Sequence, residues 1–153
     1  DYDMVKDVMS EHGDLQFWSV RMRPAKPLAF GILNKSSRKS VPLIGLPGNP
    51  VSSLVAFEQF CRPAIQKMMG KTNLERPIIE ATLKDSIENY DGRRVYARVV
   101  VTQTDSGFVA ETTGNQDSNI LTSMLKANGL AICPEDERGK NPGDIVRVLM
   151  IEY

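Results

Sequence analysis

The pattern of apolar and polar residues divides the chain into two regions. In the first region, apolar residues recur at helical spacing after Asp3, which is a suitable helix cap, and Gly13 is suited to end that helix. Three apolar runs that are typical of strands follow. They are Leu15 to Met22, Leu28 to Leu33, and Val41 to Leu46. The last run is continuous and aliphatic, as in a strand that is covered on both faces.

A long helix is predicted next, from Pro50 towards Met69. Pro63 should kink or split it, because proline has no N–H to donate and its ring clashes with the preceding turn. The apolar residues of this helix share one stripe. The stripe consists of Leu54, Phe57, Cys61, Ile65 and Met68. A helix, several strands and a further helix indicate part of an α/β layer structure.

Strand patterns dominate the second region, and Lys71 to Pro77 is the candidate linker before it. The predicted strands are Ile78 to Leu83, Arg94 to Thr102, Phe108 to Thr112, Gly129 to Cys133, and Ile145 to Ile151. Turn sequences rich in Gly, Asp and Asn separate them, and one short helix is predicted from Ser118 to Ala127. The sequence therefore predicts an α/β region over residues 1–73 and a small all-β barrel or sandwich over residues 74–153.

The composition is that of a globular protein without bulk charge. The 153 residues are 41% hydrophobic and 25% charged, and the formal net charge is zero. We therefore expect no overall attraction to nucleic acid or to a membrane, and no apolar run is long enough to span a bilayer. Cys61 and Cys133 are far apart and form no metal-binding motif, which favours the cytoplasm. The chain starts at Asp1 without a methionine, and we expect it to be a fragment of a longer protein.

One segment of this neutral chain is strongly basic. From Leu15 to Phe57 there is no Asp or Glu. The same segment contains Arg21, Arg23, Lys26, Lys35, Arg38 and Lys39. The last three can simply decorate an exposed Ser-rich hairpin tip. Arg23 and Lys26 are candidate anion ligands, because two prolines fix the turn that carries the lysine, although alternating charges on an exposed strand face would look similar.

The Pro-Gly-Asn-Pro turn between the third strand and the long helix has two interpretations. Gly48 can adopt the positive φ of a tight turn, Asn49 can cap the helix, and Pro50 suits its first position. Those roles explain the turn without a ligand. A buried strand that ends at a helix N-terminus is also a site for phosphate or a similar anion. The neighbouring basic segment favours the second interpretation.

Seven motifs occur in order along nearly the whole chain. They are Phe17-Trp18, Arg23 to Pro27 with Ala29-Phe30-Gly31, Gly45 to Ser52, Tyr96-Ala97-Arg98, Thr113 to Ser118, Ala127 to Gly129, and Gly143 to Val146. In this order they resemble the C-terminal half of the MoeA family, the molybdopterin molybdenumtransferases, whose eukaryotic relative is gephyrin. The resemblance implies the C-terminal part of a three-layer MoaB/MogA-like molybdopterin-binding domain, followed by the terminal β domain of MoeA.

The resemblance also implies an activity in molybdenum cofactor biosynthesis. Molybdate would be inserted into adenylylated molybdopterin, with magnesium and with release of AMP. It further implies a homodimer and a MogA-like adenylyltransferase as partner, and it implies that the fragment by itself is inactive. Two alternatives stay open: a non-catalytic scaffold that binds partner peptides, as in gephyrin, and a paralogue that inserts tungsten.

Site residues can be carried over by position from the same resemblance. Arg23, Lys26, Arg98 and Ser118 would bind the oxoanion and phosphate groups. Asp3, Pro47, Gly48, Asn49 and Pro50 would contact molybdopterin. For two of these there is a simpler explanation, since Ser118 could be a helix cap and Arg98 an exposed strand residue. Two positions depart from the family: Ser19 stands where relatives often have a basic residue, for which Arg21 could substitute, and Asp117 stands where they often have glycine.

Overall fold

A three-stranded antiparallel sheet, a helix with a π-helical turn and a closed barrel form the fold in the computed structural model, which describes residues 13–36 and 39–151. In the first sheet the order is β1 (Gly13–Ser19), β3 (Pro27–Ser36), β4 (Lys39–Gly45). The helix predicted to start at Asp3 lies outside the described residues. The other predicted elements of the first region are present with changed boundaries.

The strand predicted from Leu15 to Met22 is interrupted. β1 ends at Ser19, the N–H of Val20 donates to the carbonyl oxygen of Lys26 at 2.8 Å, and a separate strand β2 (Met22–Arg23) follows. β2 leaves the first sheet and pairs in parallel with a barrel strand. An apolar run alone does not show that a chain changes sheets, because the alternation of residues continues through the bend.

The expectation that the third predicted strand is covered on both faces is not met. β4 pairs only with β3 among the described strands, and Val41 is 46% exposed. Phe30 and Ile32 on β3 are also exposed. An aliphatic run predicts a buried strand, because both of its faces normally pack against other elements. No other described strand or helix packs against β4 in this way.

The long helix is interrupted near the predicted position. Helix α1 (Pro50–Ala56) continues through a π-helical turn at Phe57–Cys61 into helix α2 (Arg62–Met68). The wider turn precedes Pro63, whose missing N–H disturbs regular hydrogen bonding at this place. The predicted apolar stripe lies on the outer side, where Met68 is 70% exposed, while Val51 and Val55 are buried. No helix in the described part of the chain is both long and apolar enough to cross a bilayer.

The second region is a barrel and not a sandwich. Its strands are β5 (Ile78–Leu83), β6 (Ile87–Glu88), β7 (Arg94–Thr104), β8 (Gly107–Thr112), β9 (Gly129–Cys133), β10 (Gly139–Lys140) and β11 (Ile145–Met150), with helix α3 (Leu121–Lys126) before β9. The sheet order β7-β8-β5-β11-β9 closes because β9 also pairs with β7. A core of alternating small and branched apolar side chains fills the interior, including Leu83, Val99 and Val148.

The interrupted helix and the barrel share a second apolar core. Met22 of β2, Val51 and Val55 of α1, and Tyr96 and Leu130 of the barrel all belong to it. β2 also extends the barrel sheet, with Met22 opposite Arg94.

An ion pair fixes the linker beside this core. The carboxylate of Glu58, whose side chain is 1% exposed, accepts two hydrogen bonds from Arg76, at 3.0 and 3.1 Å. A buried carboxylate held by a two-pronged guanidinium contact has a defined geometry. The π-helical turn and the linker are thereby held together.

We predict that Gly129→Ala destabilises the barrel by about 1–3 kcal/mol, because the added methyl group would overpack the interior. A Cβ atom at this position would lie 2.5 Å from Cγ1 of Val148 and 3.3 Å from Cγ2 of Val101. Urea unfolding measures the free energy. Gly48→Ala is the control, because no described atom lies within 4 Å of a Cβ atom at that position. Equal stability of the two variants would contradict this packing.

Candidate anion-binding site

A cavity of about 630 Å³ lies between the turn after β2 and the barrel. All four residues predicted to bind oxoanion and phosphate line it: Arg23, Lys26, Arg98 and Ser118. Arg23 reaches it because β2 is added to the edge of β7, and Arg98 because it lies in the middle of β7. Arg23 and Ser118, which are 95 positions apart in the sequence, therefore line the same cavity.

The turn that carries Lys26 is tightly held. Pro24 and Ala25 are buried, and Ala25 has a φ of 77°, a left-handed conformation that few non-glycine residues adopt. The end of this turn is fixed by the hydrogen bond from the N–H of Val20 to the Lys26 carbonyl oxygen. Lys26 itself is exposed. Its ammonium group is therefore a solvated cation on a fixed turn.

Arg23 is less available than the sequence suggests. Its guanidinium group donates to the carbonyl oxygen of Glu88, lies over the ring of Tyr90 at 4.5 Å from the ring centre, and is 3.9 Å from a carboxylate oxygen of Asp91. A hydrogen bond from Arg93 and its charge lower the pKa of Asp91, and Arg23 adds to this effect. Part of the Arg23 charge is therefore compensated within the protein.

Arg98 is the deepest cation of the cavity. Only 1% of the residue is exposed, which excludes the interpretation as an exposed strand residue. Its Nε donates to Oγ of Ser123 at 3.1 Å, and Nη2 donates to the carbonyl oxygen of Asp117 at 3.1 Å. Burial lowers the pKa of Arg98 to about 10, and the negative charge of Asp117 opposes this effect. The group remains positive at neutral pH without forming a salt bridge in the described part of the protein.

The loop after β8 is shaped by Gln116, which the sequence analysis did not single out. The Gln116 side-chain oxygen accepts from the backbone N–H of Arg98 at 2.8 Å. Its amide nitrogen donates to the carbonyl oxygens of Arg98 and Gly114, at 3.2 and 3.0 Å. Gly114 has a φ of 90°, which a glycine adopts readily. The Thr-Gly-Asn-Gln sequence could have indicated this role, because a glutamine amide can form the backbone hydrogen bonds that a neighbouring strand would otherwise make.

Ser118 is half-buried in this loop and lines the cavity. It is not the cap of α3, because that helix begins after Ile120, which makes no capping hydrogen bond through its side chain. Asp117 also lines the cavity. This departure from the family thus adds a carboxylate near Arg98. The other departure, Ser19, is not compensated by Arg21 at the cavity. The Arg21 side chain donates to the carbonyl oxygen of Gly92 and does not line the cavity.

The residues expected to contact molybdopterin are not brought into this cavity. Asp3 lies outside the described residues. The cavity is not lined by Pro47, Gly48, Asn49 or Pro50, although Ser52, in the first turn of α1, does line it. Oδ1 of Asn49 accepts from the N–H of Val51 at 3.2 Å, and Pro50 starts the helix, as expected. The positive φ expected for Gly48 is wrong. A Cβ atom there would meet no described atom within 4 Å, so neither the backbone conformation nor packing against the described residues explains this glycine.

A second cavity of about 680 Å³ lies on another side of the barrel, against the π-helical turn. It is lined by charged residues, among them Arg62, Arg94 and Arg147, and by apolar residues such as Leu74 and Ile132. None of the predicted site residues lines it. The larger cavity is therefore distinct from the candidate anion site.

Two family models together match most of the sequence. Residues 1–67 match the probable molybdopterin binding domain, and residues 80–151 match the MoeA C-terminal region, domain IV. Both regions of the chain are thus similar to domains of the MoeA family. Among its curated relatives, molybdopterin molybdenumtransferase of Haemophilus influenzae is 28% identical over 95% of this chain and 35% of its own length. Molybdopterin molybdenumtransferase 1 of Mycobacterium tuberculosis is 33% identical over 97% of this chain and 35% of its own length.

Gephyrin of Dictyostelium discoideum is 32% identical over 97% of this chain and 23% of its own length. A crystal structure of the molybdopterin biosynthesis MoeA protein of Pyrococcus horikoshii superposes with a TM-score of 0.68 at 28% identity, covering 90% of this chain and 33% of that one. The chain spans about a third of the length of the molybdenumtransferases it matches. The fold is thus a MogA-like portion followed by the small C-terminal β-barrel of MoeA.

We predict that Gln116→Ala destabilises the protein by about 1–3 kcal/mol, because the buried N–H of Arg98 loses its hydrogen-bond partner. Chemical unfolding measures the loss. Asn119→Ala, an exposed position in the same loop, should change stability by less than about 0.5 kcal/mol. A Gln116 variant as stable as the parent would show that the amide does not hold the loop.

Proposed function

We propose that this chain forms part of the site at which molybdate is inserted into adenylylated molybdopterin with release of AMP, the reaction of a molybdopterin molybdenumtransferase. The observation that carries the proposal is the buried, positively charged Arg98 at a cavity that Lys26, Arg23 and Ser118 also line. Burying a cation without a salt bridge is costly, and an anionic ligand would compensate that cost. Similarity to the MoeA family supports the same reaction.

The reaction brings an oxoanion and phosphate groups close together, and their repulsion must be offset by positive groups. We assign the oxoanion to Arg98 and the hydroxyl group of Ser118, which belong to the deep, barrel side of the cavity. Lys26 would bind phosphate at the exposed side, and Arg23 would add a partly compensated charge. Pro47, Gly48, Asn49, Pro50 and Asp3 would belong to the molybdopterin subsite.

The remaining family features are part of the same proposal. Magnesium would be the cofactor of this reaction. The described residues contain no group of three or more His, Cys, Asp or Glu side chains that could hold a metal ion. A MogA-like enzyme would supply the adenylylated substrate, the active form would be a cytoplasmic homodimer, and residues 1–73 and 74–153 would be separate domains. Tungstate remains an alternative oxoanion. Because the chain spans only about a third of its relatives, we expect it to be inactive alone.

A partner-peptide-binding scaffold of gephyrin type is the second candidate function. The 680 Å³ cavity favours it, because its surface is partly apolar and carries arginines together with Glu58, Glu75 and Glu137. Such a surface could receive a peptide with charged groups and apolar anchors. The two functions differ in their response to molybdate. An anion site must raise the thermal midpoint when the ligand is added, whereas a peptide surface need not respond.

We predict that molybdate binding to the 153-residue chain weakens about tenfold in Arg98→Met, because a charge-assisted contact is lost while the volume of the side chain is largely kept. Lys26→Ala should weaken binding about threefold, since its ammonium group is solvated. Arg23→Ala should weaken molybdate binding less than Arg98→Met does. Isothermal titration with sodium molybdate measures the affinity. Lys71→Ala is the matched control, because it removes a positive charge and Lys71 lines neither cavity.

Parent-like molybdate affinity in both Arg98→Met and Lys26→Ala would refute the assigned site. The reaction itself is tested in a chimera in which this chain replaces the matching third of the Haemophilus influenzae enzyme. With adenylylated molybdopterin, molybdate and magnesium, the chimera should release AMP, and Arg98→Met should slow it about a hundredfold. A folded chimera that binds molybdate and makes no product would favour the scaffold function.

A further inference from the structure

The guanidinium group of Arg98 is held along one edge. Its Nε donates to Oγ of Ser123 at 3.1 Å, and Nη2 donates to the carbonyl oxygen of Asp117 at 3.1 Å. Nη1 has no hydrogen-bond partner among the described residues. The protein therefore uses one edge of the planar group and leaves the end that carries Nη1 for another partner.

Ser123 is suited to act as the acceptor at that edge. It lies on α3, and only 1% of it is exposed. Its hydroxyl group donates its single proton to the carbonyl oxygen of Ile120 at 2.6 Å. Because that proton is engaged, Oγ presents lone pairs to Arg98 and cannot compete as a donor. The direction of the hydrogen bond is thus fixed by the helix, whose position in the second core is set by Met124.

We propose that Ser123 is a positioning residue for oxoanion binding: it fixes the plane of the Arg98 guanidinium so that the Nη1 end is presented to the ligand. This inference rests on the proposed function, because it requires that Arg98 binds the oxoanion. Without the Ser123 hydroxyl group, the guanidinium can rotate about its last side-chain torsions, and its Nε loses a buried partner. The ligand must then restrict that motion on binding, which costs affinity.

A purely structural role for Ser123 makes a different prediction. In that case the hydroxyl group only satisfies buried polar atoms, and its removal lowers stability without changing the geometry or ligand affinity of Arg98. Two quantities distinguish the roles. They are the affinity for molybdate and the exchange rate of the Arg98 Nε–H with water, read from its side-chain NMR signal.

We predict that Ser123→Ala weakens molybdate binding to the 153-residue chain about fivefold and makes the Arg98 Nε–H exchange faster. Ser123→Thr keeps the hydroxyl group and should restore both quantities to near the parent values. Thr122→Ala removes a hydroxyl group from the exposed neighbour on the same helix and is the matched control. Arg98→Met reports on the site itself.

The outcomes separate this inference from the proposed function. If Ser123→Ala binds molybdate as tightly as the parent, or leaves the Nε–H exchange unchanged, while Arg98→Met binds weakly, Ser123 does not position the arginine and the oxoanion site stands. If Arg98→Met also binds like the parent, the proposed site fails and the inference fails with it. Equal weakening by Thr122→Ala would attribute the effect to α3 as a whole and overturn the role of Ser123.

Discussion

The parallel pairing of β2 with β7 is the contact on which the candidate site depends. It joins Met22 to Arg94 and Arg23 to Val95, and it adds a short piece of the basic segment to the barrel sheet. Backbone hydrogen bonds set the position along the strand, while Met22 and Val51 in the shared apolar core set the distance between the two regions. The cavity is the space that remains between the turn after β2 and the barrel.

Within that space the positive charges have different environments. Lys26 is solvated, Arg23 is engaged by Glu88, Tyr90 and Asp91, and Arg98 is buried with neutral oxygen atoms as its partners. A neutral acceptor stabilises a guanidinium less than a carboxylate does, so the hydrogen bonds of Arg98 compensate its charge only in part. The negative charge of Asp117 adds to this compensation without forming a salt bridge among the described residues. Such a group attracts an anion more strongly than an exposed arginine, because little solvent screens it.

Apolar pattern and burial agree in the barrel and disagree in the first sheet and the outer side of the helix. The barrel closes on itself, so that its inward residues, such as Val99 and Val148, are fully buried. In the first sheet, Trp18 is 58% exposed and Val41 is 46% exposed, because the described residues supply neither a second layer nor a closing strand. Alternation of residue types identifies a strand, but cover requires a neighbour in space.

The sequence by itself determined the order and type of most elements, the interruption of the helix before Pro63, the capping by Asn49, the similarity to the MoeA family, and the residue types able to bind anions. These features depend on local chemistry: hydrophobic period, proline geometry and the hydrogen-bonding capacity of one side chain. Tertiary structure alone decided that the β region closes into a barrel, that Gly48 needs no positive φ, and that the predicted helical stripe faces outward. It also decided that Arg23 is largely engaged while Arg98 is buried beside Ser123. Burial and charge compensation depend on groups far apart in the chain, and no local pattern records which of them become neighbours.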